Sequence, residues 1–214
     1  NIIVEGLQME MSTSNDYRRV IMIDNDSYDA GFFEILNNII KDSSSESDIN
    51  HDGISFGSSV NSTYNLIANN IIYGMRGYRI YLISQSIVLN NTVYGSNYGI
   101  RVISNSSNYV YNNISINNKT LDYTSSASTN AANNISGDAS ALGSGSYTNA
   151  NPKFVDAYNK NFHLHPTDTV AIDAGTSTAW IPASAGMTNG TDYDIDGHYR
   201  RSIDIGADEA SIDF

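Results

Sequence analysis

A chain of 214 residues is long enough for one full domain and short for two. With no cysteine, a disulfide framework and a cysteine-ligated metal site are both excluded. The 23 acidic against 11 basic residues, net −12, argue against a nucleic-acid partner or an anionic lipid surface, and no apolar run approaches the roughly 20 residues of a transmembrane span.

Good helix formers are scarce. There are 27 Asn but only 4 Lys, 5 Glu and 8 Leu. Asn, Ser, Gly, Tyr, Ile and Val suit short strands separated by turns. The opening Asn1-Ile2-Ile3-Val4-Glu5-Gly6-Leu7 reads as strand and turn, and Val20-Ile21-Met22-Ile23 as another strand. No capping helix precedes them. An open first layer is expected if earlier layers have been removed, or if another molecule or domain covers this end.

From residue 30 the chain repeats. Asn-Asn pairs stand at Asn37-Asn38, Asn69-Asn70, Asn90-Asn91, Asn112-Asn113 and Asn133-Asn134. The last four pairs recur at a nearly constant interval. The first interval is longer, one period plus an insertion over Lys41 to Asp52. Ile35, Ile67, Val88, Val110 and Ala131 lie two positions before each pair. Ile39, Ile71, Thr92, Ile114 and Ile135 lie two after its first Asn. A second signature aligns Gly53-Ile54-Ser55-Phe56, Gly77-Tyr78-Arg79-Ile80 and Gly99-Ile100-Arg101-Val102 on their glycines. A period near 22 with short strands and glycine turns predicts a solenoid of parallel strands. Each lap of chain is one rung, stacked at about 4.8 Å on the next. If one Asn of each pair points inward, the amides hydrogen-bond along the stack. Such a column is favourable at about 1 kcal/mol per bond, whereas a lone buried amide costs about 1–3 kcal/mol. The competing reading is a run of solvated turn asparagines.

The Asn-Asn-[Ile/Thr] corners and Gly-[Ile/Tyr]-x-[hydrophobic] strands resemble the right-handed parallel β-helix repeats of the pectate-lyase-like superfamily, over about residues 30 to 136. The implied fold is all-β, a single-stranded right-handed parallel β-helix. Its rungs occupy residues 1–150, the last of them loose and running into a linker. Residues 151–214 finish the helix without forming an independent domain. This tail carries 10 acidic and 4 basic side chains. It reads Asn151-Pro152-Lys153-Phe154-Val155-Asp156, Phe162-His163-Leu164, Ala171-Ile172-Asp173-Ala174-Gly175 and Asp204-Ile205-Gly206-Ala207-Asp208-Glu209. In that order the motifs are similar to the C-terminal segment of choice-of-anchor Q surface proteins. Thr169-Val170 replaces the usual Ser-Pro, and Asp208 the usual aromatic. The acidic surface, the absence of cysteine and the anchor-type tail together imply an exported prokaryotic protein, extracellular or at the cell surface.

Arg79 and Arg101 both follow an aligned glycine by two, so they are expected to face outward on adjacent rungs. Two neighbouring guanidinium groups repel unless an anion lies between them. An acidic glycan is the partner that follows, with Tyr81, Tyr73 and Tyr94 as stacking faces for sugar rings. The alternative has the tyrosines covering turns and the arginines paired with local Asp. In the tail, Asp192-x-Asp194-x-Asp196-Gly197 suits a hard cation with oxygen ligands, Ca²⁺, closed by Asp204 or Glu209; Ile203 stands where an EF-hand needs Glu. A solvated acidic turn with Asp196 paired to Arg200 or Arg201 fits equally. His163-x-His165 places two imidazoles on one strand face, too few for a metal site by themselves. His51 lacks an evident partner.

Three functions are expected: an extracellular module that binds polysaccharide; a structural or adhesive surface protein, including a subunit that self-associates end to end through its first rung; and a polysaccharide lyase or hydrolase. A lyase needs uronate neutralisation and a base, for which Arg79, Arg101, Lys41 and Tyr81 are candidates. Against it, the Asp-Asp and Gly-His-Gly motifs of polygalacturonases do not occur. Nor do the Arg-x-Pro-x-x-Arg of pectate lyases and the Asp-Pro-His of alginate epimerases.

Overall fold

A computed structural model describes residues 2–12, 18–23, 33–43, 51–57, 65–103, 108–125, 129–177, 193–200, 202–208 and 210. The first rung is β1 (Ile2–Glu5), β2 (Gln8–Met11) and β3 (Arg18–Ile23). The second is β4 (Phe33–Leu36), β5 (Ile39–Asp42) and β6 (His51–Phe56). The third is β7 (Asn65–Ala68), β8 (Ile71–Tyr73) and β9 (Tyr78–Leu82). The fourth is β10 (Ser86–Leu89), β11 (Thr92–Tyr94) and β12 (Tyr98–Val102). The fifth is β13 (Asn108–Tyr111), β14 (Ile114–Ile116) and β15 (Leu121–Ser125). A sixth holds β16 (Thr129–Ala132) and β17 (Ile135–Ser136). The hairpin β18 (Phe154–Asp156) and β19 (Asn161–Leu164) follows.

Every third strand pairs in parallel, giving sheet A (β1-β4-β7-β10-β13-β16), sheet B (β2-β5-β8-β11-β14-β17) and sheet C (β3-β6-β9-β12-β15). This is a parallel β-helix, and no helix occurs among the described residues. Both aliphatic columns of the repeat stack as the sequence requires. Ile35, Ile67, Val88, Val110 and Ala131 are register partners in sheet A. Ile39, Ile71, Thr92, Ile114 and Ile135 are partners in sheet B. The first column enters the core between the sheets with Ile54, Phe56, Ile72, Ile80, Leu82 and Val93. The second column belongs to the opposite face of sheet B, against the tail.

The asparagine ladder is built from the second Asn of each pair. Asn38, Asn70, Asn91, Asn113 and Asn134 are fully buried. Each Nδ2 donates to the Oδ1 of the next, at 3.0, 3.0, 2.9 and 3.1 Å. That same Oδ1 also accepts the backbone N–H of the rung below, and Nδ2 further donates to main-chain carbonyls, as Asn91 does to Ile67 and Leu89. At the last rung the Asn134 N–H donates to Ser146 Oγ. The first Asn of each pair has φ between 51° and 57°, the left-handed corner that Asn tolerates better than other side chains.

The glycine alignment, by contrast, needs correction. Ile54 pairs with Ile80 and Ile80 with Ile100, so Gly53, Arg79 and Gly99 share a column and Gly77 does not. Between the third and fourth rungs, Ile80 pairs with Ile100 in sheet C and Ile72 with Val93 in sheet B; between the fourth and fifth, Ile87 pairs with Tyr109 in sheet A. Ile100 pairs with Tyr123 in sheet C across that second interval, so the sheet C step is shorter than that of sheets A and B at one rung and longer at the next. One fixed period therefore misplaced the strands after the β8–β9 corner. Gly53 is required where it stands, because a Cβ there would lie 2.6 Å from the Arg79 carbonyl oxygen and 3.0 Å from Ile72 Cγ2. Gly53→Ala is expected to cost about 1–3 kcal/mol through overpacking. A chemical-denaturation midpoint checks this, and an unchanged midpoint would contradict so close an approach.

Candidate functional site

The tail does not continue the rungs. It folds back over the outer face of sheet B, where Ile71, Tyr73, Tyr94, Ile114, Ile116 and Ile135 meet Phe154, Phe162, Leu164, Ala171, Ile205 and Ala207. The first Asn of the last four pairs holds it there. Asn69 Nδ2 donates to Tyr193 O at 2.7 Å, Asn90 to Asp204 O at 3.2 Å and Asn133 to Ala174 O at 2.8 Å. Asn112 both donates to Thr176 O and accepts its N–H. One dipeptide thus has two tasks: its second amide joins the rungs and its first amide receives the tail. Gly206, at φ 114°, lets the backbone lie flat on this face, since a Cβ would stand 2.7 Å from Ile114 Cδ1.

The residues expected to bind a glycan are consequently divided. Tyr73 and Tyr94 pack on Phe162, with ring centroids 5.2 and 5.0 Å away, and so serve the tail interface. Arg79 does not face outward. It is fully buried, and its Nη2 donates to the carbonyls of Tyr94 and Gly95 at 3.3 and 2.5 Å. Its Nε and Nη1 have no partner among the described residues. Burial holds its pKa well below the guanidinium value, with Asp42 opposing. Asp42 in turn pairs with His51 at 3.0 Å, both side chains buried, so His51 has the partner that the sequence did not reveal. Lys41 pairs with Glu10 at 2.9 Å on sheet B. Of the lyase candidates, Arg79 is thus held at the Tyr94 and Gly95 carbonyls, and Lys41 in an ion pair on sheet B.

Arg101 and Tyr81 do meet, as register partners on the outer face of sheet C. The guanidinium lies 4.9 Å from the Tyr78 ring centroid and 5.5 Å from that of Tyr81, and Nη1 donates to Tyr78 Oη. Tyr78 also stacks on Tyr98 at 4.7 Å and on Tyr81 at 5.0 Å. All four side chains are half-buried. No carboxylate pairs with Arg101 among the described residues, and its Nε has no hydrogen-bond acceptor. Tyr78 and Tyr98 were missed from sequence because the register that pairs them in sheet C is shorter than the interval between the Asn pairs.

In the acidic tail motif, Asp194 and Asp196 have separate partners. Asp192, Arg201 and Glu209 lie outside the described residues. Asp194 is buried, and its Oδ1 accepts the backbone N–H groups of Asp196 and His198. Asp196 turns to His163 Nε2 at 2.7 Å, whereas Arg200 donates to Asn69 Oδ1 and to the Gly206 and Ala207 carbonyls. Burial pushes the nearby Asp208 carboxyl up to about 6, with the Leu164 N–H opposing. His165 lies beyond β19 and meets Thr167, so the two imidazoles do not pair. His165 instead joins Tyr94, Asn117, Asn149, Lys153 and Phe154 around a cleft of about 670 Å³.

Comparison with known proteins found no matching family, no similar curated protein and no similar solved structure.

Proposed function

We propose that this chain is an extracellular or cell-surface β-helix module that binds polysaccharide, an acidic glycan lying across the outer face of sheet C. One observation carries the reading: an arginine without a carboxylate partner among the described residues lies over two tyrosine rings on a regular sheet face, in a protein of net charge −12. A guanidinium already seated on aromatic faces has lost part of its freedom and offers its remaining N–H groups to a carboxylate. Tyr78, Tyr81 and Tyr98 supply flat apolar area for sugar rings. The resemblance of the rungs to pectate-lyase-like β-helices, and of the tail to choice-of-anchor Q segments, agrees with a glycan-handling surface protein.

Arg101→Ala is expected to weaken retention on immobilised polygalacturonate by about tenfold or more, the loss of a charge-assisted hydrogen bond, without altering retention on neutral dextran. Affinity chromatography at fixed salt reads the difference. Equal retention of Arg101→Ala and the wild-type chain contradicts a site on sheet C; a Lys153→Ala variant in the same run shows whether the glycan occupies the cleft instead.

A second reading, end-to-end association, is favoured by Ile2 and Ile3, which are 55% and 50% exposed on edge strand β1. It predicts oligomers that grow with concentration in sedimentation velocity. A single monomer boundary at high concentration opposes it.

A further inference from the structure

The geometry points to a divalent metal site of the Zn²⁺ class formed by His163 Nε2, Asp196 and Asp208, clamping hairpin β18–β19 to the segments over residues 193–200 and 202–208. A nitrogen of His163 and one carboxylate oxygen from each aspartate all lie within 4.8 Å of one another. This site is independent of the glycan reading.

The argument begins at Asn161. Its Oδ1 accepts the backbone N–H of His163 at 3.2 Å, which identifies that atom as the oxygen, and it faces His163 Nδ1 at 2.5 Å. Nδ1 must then carry the proton. Nε2, the other ring nitrogen, faces Asp196 Oδ2 at 2.7 Å. A ring nitrogen and a carboxylate oxygen this close need a proton or a metal ion between them. A second ring proton would meet this need with an exposed ion pair, because the two side chains are 47% and 42% exposed.

Asp208 tips the choice toward a metal. It is only 3% exposed, and its Oδ2 accepts the Leu164 N–H at 3.0 Å. A buried carboxylate with an oxygen within 4.8 Å of an imidazole nitrogen and a second carboxylate is better served by a doubly charged ion than by one proton. The Asn161–His163 hydrogen bond and the Leu164–Asp208 hydrogen bond are the outer contacts that orient metal ligands. Zinc bonds of about 2.0–2.2 Å place ligand atoms roughly 3.3 Å apart, so the His163–Asp196 pair, now at 2.7 Å, opens slightly while the widest separation, within 4.8 Å, closes, movements open to the exposed His163 and Asp196 side chains. One imidazole nitrogen with two carboxylates suits Zn²⁺ better than Ca²⁺, which prefers oxygen alone and more ligands. The ion expected from the Asp-x-Asp-x-Asp spacing is thereby changed in class. His163, far from Asp196 along the chain, is the ligand that local spacing does not show.

The test uses the full chain, stripped with chelator and titrated with Zn²⁺ by calorimetry. One Zn²⁺ per chain is expected, with Tm raised by about 5–10 °C at a hundredfold excess over Kd. Asn161→Leu is expected to weaken binding by about 10–100-fold. His163→Gln abolishes it, whereas His198→Gln leaves it intact. In chelator, His163→Gln and the wild-type chain should melt together, which separates loss of the ion from loss of the fold. The proposal is overturned if no Zn²⁺ binds, if His163→Gln retains it with unchanged affinity, or if Ca²⁺ raises Tm and Zn²⁺ does not.

Discussion

Asn91→Ala is expected to lower stability by about 3–5 kcal/mol, although it removes only a short polar side chain. Asn91 stands in the middle of the ladder. Its Nδ2 donates to Ile67 O, Leu89 O and Asn113 Oδ1, and its Oδ1 accepts both the N–H and the Nδ2 of Asn70. Every one of these groups is buried, so truncation leaves donors and acceptors without partners, at about 1–3 kcal/mol for the worst of them. A chain of this size loses about 2–4 °C of Tm per kcal/mol. Asn130→Ala, at an exposed position, is the control and should shift stability by less than about 0.5 kcal/mol. Equal effects of the two substitutions in thermal denaturation would show that the ladder amides contribute nothing special.

Phe162→Ala is expected to cost about 3–5 kcal/mol and to release the tail. Phe162 is 1% exposed and is the ring around which Tyr73, Tyr94 and Phe154 assemble, the last at 5.5 Å and edge-on. Removing it opens a cavity between the tail and sheet B instead of inside the rungs. The tail should therefore loosen before the solenoid does. Limited proteolysis reads this as cleavage after residue 150 with the rungs preserved, and near-UV circular dichroism reads it as lost tyrosine asymmetry. A loss of stability below about 1 kcal/mol, with the tail still protected, would contradict a tail seated on sheet B.

The fold was legible because its two strongest signals are local in sequence and recur. Asn-Asn fixes a left-handed corner followed by an inward amide, and the flanking aliphatics fix two columns of register. Arg79 was misjudged for an equally physical reason. Sheets A and B advance by the same step from rung to rung and sheet C does not, so a single period read from the Asn pairs misplaces sheet C. That offset hid the Tyr78–Tyr98–Arg101 cluster and placed a buried arginine outside. The tail's placement was not legible at all. Its hydrogen bonds to Asn69, Asn90, Asn112 and Asn133 join positions distant in the chain, and nothing in a local motif reports such a contact. The same holds for the pairing of His163 with Asp196.

The most direct measurement of in-register stacking is hydrogen exchange at the side-chain carboxamides of Asn70, Asn91 and Asn113, followed by NMR. These protons should exchange only with global opening, together with the backbone amides of β7, β10 and β13. Exchange as fast as that of the exposed Asn130 carboxamide would contradict the ladder and, with it, the alignment of every rung.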